Sequence, residues 1–221
     1  MSAAGKRLVG VTIAAAVVCV AIGLYIGLYL VNVPGSVAAV QTSSGAQLYL
    51  ATVPAAALND PHSTWVSYYA VDANSGNWRH ETTYEMPANT LVRVTIYNYD
   101  SASGLRNPWF GQASGTLGSV ITLDGKVTPA INPDDASHVF SVPQVGLSVP
   151  LQGIPDNAKN PCSNAPCSLS NDHTTTSFTF RTPGKGLYRW QCFVPCAAGY
   201  IAGFGGPMQT VGYMDGFIKV V

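Results

Sequence analysis

Two cysteines near the C-terminus have a spacing that suits metal binding. Cys192 and Cys196 are separated by three residues and follow a segment, 183–191, whose residues predict a turn and then a strand. Thiolates are soft metal ligands. In an oxidising compartment the same two thiols can instead form a disulfide. The spacing alone leaves both possibilities open.

The other cysteines divide between two environments. Cys162 and Cys167 lie close together in a predicted loop, whereas Cys19 lies in an apolar run near the N-terminus. We expect Cys19 to act as a small apolar residue. The four cysteines outside that run allow three pairings, of which a local Cys162–Cys167 disulfide is the favoured one.

The composition excludes some classes of function. The formal net charge is zero and 10% of the residues are charged, which is below the usual quarter or so of a soluble domain. No basic stripe runs through the sequence, so no nucleic-acid partner is assigned. Serine and threonine are abundant, but no nucleophile-elbow pattern accompanies them, and a hydrolytic triad is not supported.

The N-terminal region has the pattern of a membrane anchor. Lys6 and Arg7 precede an uncharged run from Leu8 to Val31. At about 1.5 Å per residue this run is long enough to cross a bilayer core of roughly 30 Å. Positive charge before the run predicts a cytoplasmic N-terminus and an extracytoplasmic C-terminal domain.

These signals predict the organisation of the first part of the chain. We expect residues 1–32 to form a cytoplasmic stub and one transmembrane helix, followed by a linker over 33–46. The protein would then be a single-pass protein of the cell membrane. A cleaved signal peptide is the alternative, because the small residues of 36–38 suit a cleavage site.

The remaining residues, 47–221, predict an extracytoplasmic domain that is mainly β. Several short segments are rich in β-branched and aromatic residues and are bounded by turn residues. These segments are 48–50, 65–71, 91–99, 138–142, 145–151, 175–181, 187–192 and 216–221. Seven or more short strands without helical periodicity predict a Greek-key β-sandwich. Residues 101–136 are predicted to be an insertion with a small hairpin at Asp124-Gly125.

The order of these elements resembles the extracytoplasmic domain of cytochrome c oxidase subunit II of the single-span type, and more broadly the cupredoxins. The resemblance covers roughly residues 85–221. It rests on His138 at the start of a strand, the Pro183-Gly184 turn, the Cys192-x-x-x-Cys196 pair, and a methionine shortly before the last strand.

The resemblance implies a copper site. In that family two bridging thiolates, two imidazoles, one methionine and one backbone carbonyl hold two copper ions, a centre called CuA. Carried over by position, the implied ligands are His138, Cys192, the carbonyl of Val194, Cys196 and Met214, with Met208 as a rival to Met214. The resemblance therefore implies copper, either in a CuA-like centre or as a single ion.

The ligand loop departs from the family pattern at several positions. Tyr200 stands where the second histidine is expected, and no histidine follows His173. Val194 stands where an acidic or amide residue is often found. A glycine-rich insertion, 199–212, separates the thiols from Met214. If its loop folds over the site, His173 supplies the missing nitrogen.

Two aromatic positions near the site have open interpretations. Trp190, two residues before Cys192, is either a core residue or a point of electron entry. Trp109-Phe110, within the insertion, is a candidate docking patch, because exposed aromatic residues mark interaction sites.

The implied function is copper-dependent electron transfer within a respiratory complex, as a cytochrome c oxidase subunit II-like component and not as a catalyst in its own right. The implied partners are the membrane, other subunits of a respiratory or oxidase complex, and a cytochrome c or small copper protein. Two alternatives stay open. One is a metal-free structural or assembly subunit with a Cys192–Cys196 disulfide, and the other is a copper-delivery protein.

Overall fold

A computed structural model of the chain describes residues 3–27, 35–72, 75–104, 106–196 and 206–221. The chain divides into two compact units, residues 1–35 and 36–221.

The first unit contains helix α1 (Ala3–Tyr25). Its sequence is dominated by alanine, valine, isoleucine and leucine, and its large apolar side chains from Val9 onward are exposed. Among the residues that the structure describes, no helix is long and apolar enough to span a bilayer. The predicted transmembrane helix is therefore not confirmed.

The second unit is built from strands. In chain order they are β1 (Ser36–Ala38), β2 (Val40–Thr42), β3 (Gly45–Val53), β4 (Ser67–Val71), β5 (Trp78–Arg79), β6 (Thr83–Met86), β7 (Leu91–Asn98), β8 (Ile121–Leu123), β9 (Lys126–Thr128), β10 (Ala136–Val142), β11 (Leu147–Gln152), β12 (Thr174–Arg181), β13 (Gly186–Gln191) and β14 (Asp215–Val220). This confirms that the domain is mainly β.

The strands form two sheets. One has the order β1-β6-β14-β13-β10-β11, and the other has the order β5-β4-β3-β7-β12-β8-β9, with β2 paired to β3. Consecutive strands change sheet from β1 to β2, from β5 to β6, from β6 to β7, from β9 to β10, and on both sides of β12. Such crossings between sheets are typical of a Greek-key sandwich.

The core lies between the two sheets and follows from side-chain alternation along the strands. In β7, Val92, Val94 and Ile96 are fully buried while the residues between them are partly or fully exposed. Strand β12 pairs antiparallel to β7 and places Phe178 and Phe180 opposite Val94 and Val92. Each strand thus supplies one apolar face to a common interior, which is the main stabilising contribution of a sandwich.

Aromatic rings fill the part of the core beside the ligand strands. Trp190 is fully buried, lies edge-on to Tyr68 at 4.7 Å between ring centroids and stacks on Phe140 at 5.0 Å. Its Nε1–H donates to the carbonyl of Thr82 at 2.9 Å, so its polar atom is satisfied. Trp190 is therefore a core residue and not a surface point of electron entry.

Residues 36–42 of the predicted linker are paired with the sheets. Strand β1 pairs in parallel with β6, and β2 pairs antiparallel to β3. Val37 is half-buried against the core, which explains why this segment pairs instead of remaining free. Residues 33 and 34 lie outside the described ranges. The sequence missed these strands because they are short and surrounded by serine, glycine and alanine.

The predicted insertion, 101–136, contains a hairpin and covers β10 and β11. Strands β8 and β9 are joined by a two-residue turn at Asp124-Gly125, as predicted. Ser114 and Ser148 exchange backbone hydrogen bonds of 2.8 and 3.0 Å, which fastens the insertion to β11. Every residue of β10, which lies between β13 and β11 in its sheet, is buried.

The loop between β11 and β12 carries a disulfide between Cys162 and Cys167. This is the local pairing that the sequence favours. Both cysteines are buried and pack with Tyr69, Tyr99 and Val53 in a second, smaller apolar cluster.

Candidate metal centre

Three side chains from two strand regions converge at one end of the sandwich. His138, Cys192 and Cys196 each offer one ligand atom, and these atoms all lie within 4.8 Å of one another. The two sulfurs are 2.9 Å apart, and Nδ1 of His138 lies 3.1 Å from Sγ of Cys196 and 3.9 Å from Sγ of Cys192. We call these three side chains the ligand trio.

Strand geometry places two members of the trio. His138 and Phe140 lie two residues apart on β10, and Trp190 and Cys192 lie two residues apart at the end of β13. Because successive side chains alternate across a strand, each pair lies on one face. Since the rings of Phe140 and Trp190 stack in the core, His138 and Cys192 enter the same interior.

Backbone contacts fix the loop after β13. The N–H of Cys192 donates to the carbonyl of Met214 at 3.0 Å, and the N–H of Met214 donates to the carbonyl of Pro207 at 3.0 Å. The N–H of Val139 donates to Sγ of Cys192 at 3.5 Å. Cys192 is fully buried and is held by both neighbouring strands.

The carbonyl of Val194 faces both sulfurs. Its oxygen lies 2.8 Å from Sγ of Cys196 and 3.6 Å from Sγ of Cys192. Val194 is itself fully buried. The structure therefore brings the carbonyl oxygen of Val194 beside the ligand trio.

Asp100 is the residue that the sequence interpretation missed. It follows β7, and its Oδ2 lies 3.0 Å from Nε2 of His138. The side chain of His138 is 2% exposed and that of Asp100 is 21% exposed. A signal was present in the sequence, an acidic residue directly after a long strand, but only the fold shows that this strand end lies beside β10.

His138 and Asp100 each stabilise the charged form of the other. Burial opposes the positive charge of His138, but the hydrogen bonds to Asp100 and Cys192 and the charges of both groups raise the pKa of His138 from 6.5 to about 9. Burial also acts to raise the pKa of Asp100, yet the hydrogen bond and the charge of His138 hold it below 3.8. The contacts with Asp100 and Cys192 therefore favour the cationic form of His138 in the metal-free protein.

The two cysteines differ in acidity. Burial opposes the thiolate of Cys192, but hydrogen bonds from Cys196 and His138, the charge of His138 and the N–H of Val139 lower the pKa of its thiol from 9.0 to about 5. Burial, the contact with Cys192 and the negative charges of Cys192 and Asp100 raise the pKa of Cys196 well above 9.0. Within this pair, these contacts therefore favour the thiolate on Cys192 and the proton on Cys196.

The donor set fits copper. Two sulfurs and one imidazole nitrogen are soft and borderline ligands that suit copper and zinc and not magnesium or calcium. Neither Cys192 nor Cys196 is disulfide-bonded in the structure. Their 2.9 Å separation exceeds the bond of about 2.05 Å in a disulfide. Burial of Cys192 and His138 also excludes water from most of the site.

Both candidate methionines lie on the segment that borders the ligand loop. Met214 is fully buried in the core cluster that contains Cys192 and Val194. Met208 is half-buried, and its carbonyl accepts a hydrogen bond of 2.6 Å from Nε2 of Gln191. By burial and by its backbone bond to Cys192, Met214 is the better candidate.

His173, the residue offered as a source of the missing nitrogen, lies away from the ligand trio. His173 packs on the rings of Tyr97 and Tyr99, with its Nδ1 2.8 Å from the carbonyl of Asn171, and is not part of the trio. It does not supply the nitrogen that the family pattern lacks. Tyr200, at the expected histidine position, lies outside the described residues.

An aromatic patch adjoins the ligand loop. Trp109 is 48% exposed, and its ring meets that of Phe193 edge-on at 6.3 Å between centroids. Phe193 is 37% exposed and lies directly after Cys192 in the chain. Phe110, the other residue of the predicted docking patch, is half-buried against the core. We call Trp109 and Phe193 the aromatic patch.

Comparison with known proteins gives distant structural similarity. No protein-family model matches the chain, and no curated protein matches it. The chain is similar to rusticyanin from Thiobacillus ferrooxidans, at 19% identity over 86% of this chain and 85% of that chain, with a TM-score of 0.34. It is similar to auracyanin B at 19% identity over 86% and 99% of the two chains, with a TM-score of 0.31.

A chain from a heme-copper terminal oxidase dimer is also similar, at 13% identity over 99% of both chains, with a TM-score of 0.33. These values describe remote similarity. The interpretation of the ligand trio therefore depends on its own geometry.

Proposed function

We propose that this protein is a cupredoxin-like electron-transfer protein that binds copper through His138, Cys192 and Cys196. The convergence of these three donor atoms within 4.8 Å carries the proposal. Bound copper would supply the one-electron redox couple. The protein's own groups would hold the ion and limit its exposure to water.

The surroundings of the trio suit electron transfer because they resist rearrangement. The carbonyl of Val194 and the N–H of Val139 contact the sulfurs from fixed backbone. Trp190 and Phe140 stack directly behind Cys192 and His138. A ligand set held by packed strands keeps a similar geometry in both oxidation states, so less reorganisation accompanies each electron.

We propose that electrons enter or leave through the aromatic patch. Trp109 and Phe193 are exposed, and Phe193 is bonded directly to Cys192. Aromatic residues are enriched at the centres of protein interfaces. The partner would be a cytochrome c or small copper protein, or another subunit of a respiratory or oxidase complex in which this chain acts like cytochrome c oxidase subunit II.

We also propose an extracytoplasmic, membrane-anchored location. The Cys162–Cys167 disulfide supports an oxidising compartment. The uncharged run from Leu8 to Val31, preceded by Lys6 and Arg7, supports an anchor with a cytoplasmic N-terminus. Extraction of cell membranes with alkaline carbonate tests this, because an anchored chain stays in the pellet and a peripheral one is released.

Electrochemistry of the full-length chain tests the proposed function. The protein is loaded with Cu(I) under anaerobic reducing conditions, freed of excess metal, and cycled on an electrode. We expect a reversible one-electron wave that is absent from the metal-free protein. Binding of zinc with no retained copper, or a Cys192–Cys196 disulfide without metal, would support a structural subunit instead.

A further inference from the structure

We propose that Asp100 is a positioning residue, which holds the proton of His138 on Nε2 so that Nδ1 is the nitrogen presented to the copper ion. The inference rests on the proposed copper function, since it concerns the same site. It assigns a role to a residue that lies 38 positions from His138 in the chain.

The geometry at the two ring nitrogens carries the inference. Nε2 of His138 is 3.0 Å from Oδ2 of Asp100, whereas Nδ1 faces the sulfurs of Cys196 and Cys192 at 3.1 and 3.9 Å. An ionised carboxylate only accepts hydrogen bonds, so the proton of that contact belongs to Nε2. Nδ1 is then the nitrogen that gives up its proton and offers a lone pair when a metal binds.

Asp100 is itself fixed in place. The N–H of Ser101 donates to its Oδ1 at 2.8 Å, which leaves Oδ2 directed at His138. Nδ2 of Asn98 donates to the carbonyl of Asp100 at 3.2 Å, and the N–H of Asp100 donates to Oδ1 of Asn98 at 3.3 Å. Asn98 is fully buried and also bonds to the hydroxyl of Thr52 and to the carbonyl of Gln152.

This chain of contacts links the second sheet to the ligand. Thr52 lies on β3, Asn98 ends β7, and His138 lies on β10 of the opposite sheet. The orientation of the imidazole is therefore set across the sandwich, and not by β10 alone. A ligand oriented in this way needs less reordering when the metal enters.

The charge of Asp100 has a second effect. A negative charge one imidazole away from the metal stabilises the more positive oxidised ion more than the reduced one. Removing that charge while keeping the hydrogen bond should therefore raise the reduction potential. A group with a purely structural role would not change the potential in this way.

Two substitutions at Asp100 separate these effects. In Asp100→Asn the amide oxygen still accepts from Nε2–H, so we expect full copper content and an unchanged ligand nitrogen, with a higher reduction potential. In Asp100→Ala the hydrogen bond is lost as well, and we expect copper affinity to fall by about 10- to 100-fold. Asp124→Asn is the matched control, because Asp124 accepts from the N–H of Thr175 in the other sheet.

Nitrogen-15 NMR of labelled histidine gives the deciding readout, and it needs no copper. In the metal-free wild type, at a pH where the imidazole is neutral, we expect His138 to carry its proton on Nε2. In Asp100→Ala the Nδ1–H form should become populated. Proton on Nδ1 in the wild type, or Asp100→Ala with an unchanged tautomer and copper affinity, would overturn the inference.

The two proposals fail in different ways. A wild-type chain that binds no copper but keeps the proton on Nε2 through Asp100 would refute the copper function and support the positioning role. A chain that binds copper through Nε2 of His138 would refute the positioning role and leave the copper function standing.

Discussion

The sulfurs of Cys192 and Cys196 play unequal parts before any metal arrives. Cys192 is fully buried and favours the thiolate, which His138 and the N–H of Val139 stabilise. Cys196 is half-buried and favours the thiol. A metal held by both sulfurs and Nδ1 needs two thiolates and a free lone pair on Nδ1, so metal binding is linked to proton release.

Replacing one sulfur tests its role as a ligand. Cys192→Ser substitutes a hard hydroxyl for a soft thiolate at nearly the same volume. We expect loss of copper and of any sulfur-to-copper absorption band, because soft ligands are what select copper here. Metal analysis and the visible spectrum measure this.

Cys19→Ser is the matched control for that change. Cys19 is a free, exposed cysteine in α1, so its replacement should leave copper content unchanged. An unaltered spectrum and copper content in Cys192→Ser would remove Cys192 from the site.

At the residue scale, the resemblance named residues that the structure brings together, but it did not name the residue that supports them. His138, Cys192, Val194 and Cys196 were all identified by position and lie together in the structure. Asp100 was not identified, because its contact with His138 depends on a pairing between strand ends that no local pattern encodes.

The antiparallel pair of strands β13 and β14 places Cys192, which follows β13 directly. Its strands pair in register, with Trp190 opposite Gly216 and Gln191 opposite Asp215. Gly216 is required by space. A Cβ there would lie 2.0 Å from the carbonyl oxygen of Thr82 and 2.7 Å from Nε1 of Trp190. The missing side chain lets the indole reach its acceptor.

Gly216→Ala should therefore destabilise the domain. The added methyl group would push β14 from β6 or break the Trp190–Thr82 hydrogen bond, at a cost of about 1 to 3 kcal/mol. The midpoint of urea unfolding measures this.

Gly184→Ala, in the turn between β12 and β13, is the matched control. No atom lies within 4 Å of a Cβ placed at Gly184. We expect little change in the unfolding midpoint there. Equal midpoints for the two variants would contradict the packing account.

At the element scale, long alternating strands were predictable and short ones were not. The segments at 91–99 and 175–181 show the alternation of a half-buried strand, and they form β7 and β12. Strands β1, β2 and β5 contain two or three residues each, and their pairing depends on neighbours that are distant in sequence. Local periodicity cannot identify such strands.

At the scale of the whole molecule, the exposed aromatic patch lies beside the ligand trio and is the proposed docking site for an electron-transfer partner. Trp109→Ala should weaken binding of an electron-transfer partner without changing copper content. A central aromatic contact is worth about 1 to 2 kcal/mol or more, which is a loss of roughly tenfold in affinity. Stopped-flow electron exchange with cytochrome c as the probe measures this.

Leu58→Ala is the control for this prediction. Leu58 is also exposed and apolar but does not belong to the patch. Equal slowing by the two substitutions would argue against docking at Trp109.

Acid should weaken the whole domain through a second histidine. Burial lowers the pKa of His80 below 6.5, although Asp60, at 2.9 Å, opposes the shift. A lowered pKa means that the unfolded chain takes up the proton more readily than the folded one. The stabilising contribution of neutral His80 is therefore present above pH 6.5 and is lost as the pH falls through the folded pKa.

Replacement of His80 tests this pH dependence. We expect the melting temperature of the wild type to fall more steeply between roughly pH 7 and pH 5 than that of His80→Gln, because only the wild type titrates this group. Thermal unfolding followed by circular dichroism measures both slopes. Parallel slopes would show that His80 does not contribute.

Copper content with an EPR spectrum tests the central claim most directly. The full-length protein is loaded with Cu(I) under reducing conditions, washed and reoxidised beside Cys192→Ser. We predict that each wild-type chain retains one tightly held copper ion and gives the EPR signal of one Cu(II) ion bound by thiolate. We expect Cys192→Ser to lack both the copper and the signal. A wild-type chain that retains no copper while both thiols remain free would contradict the account.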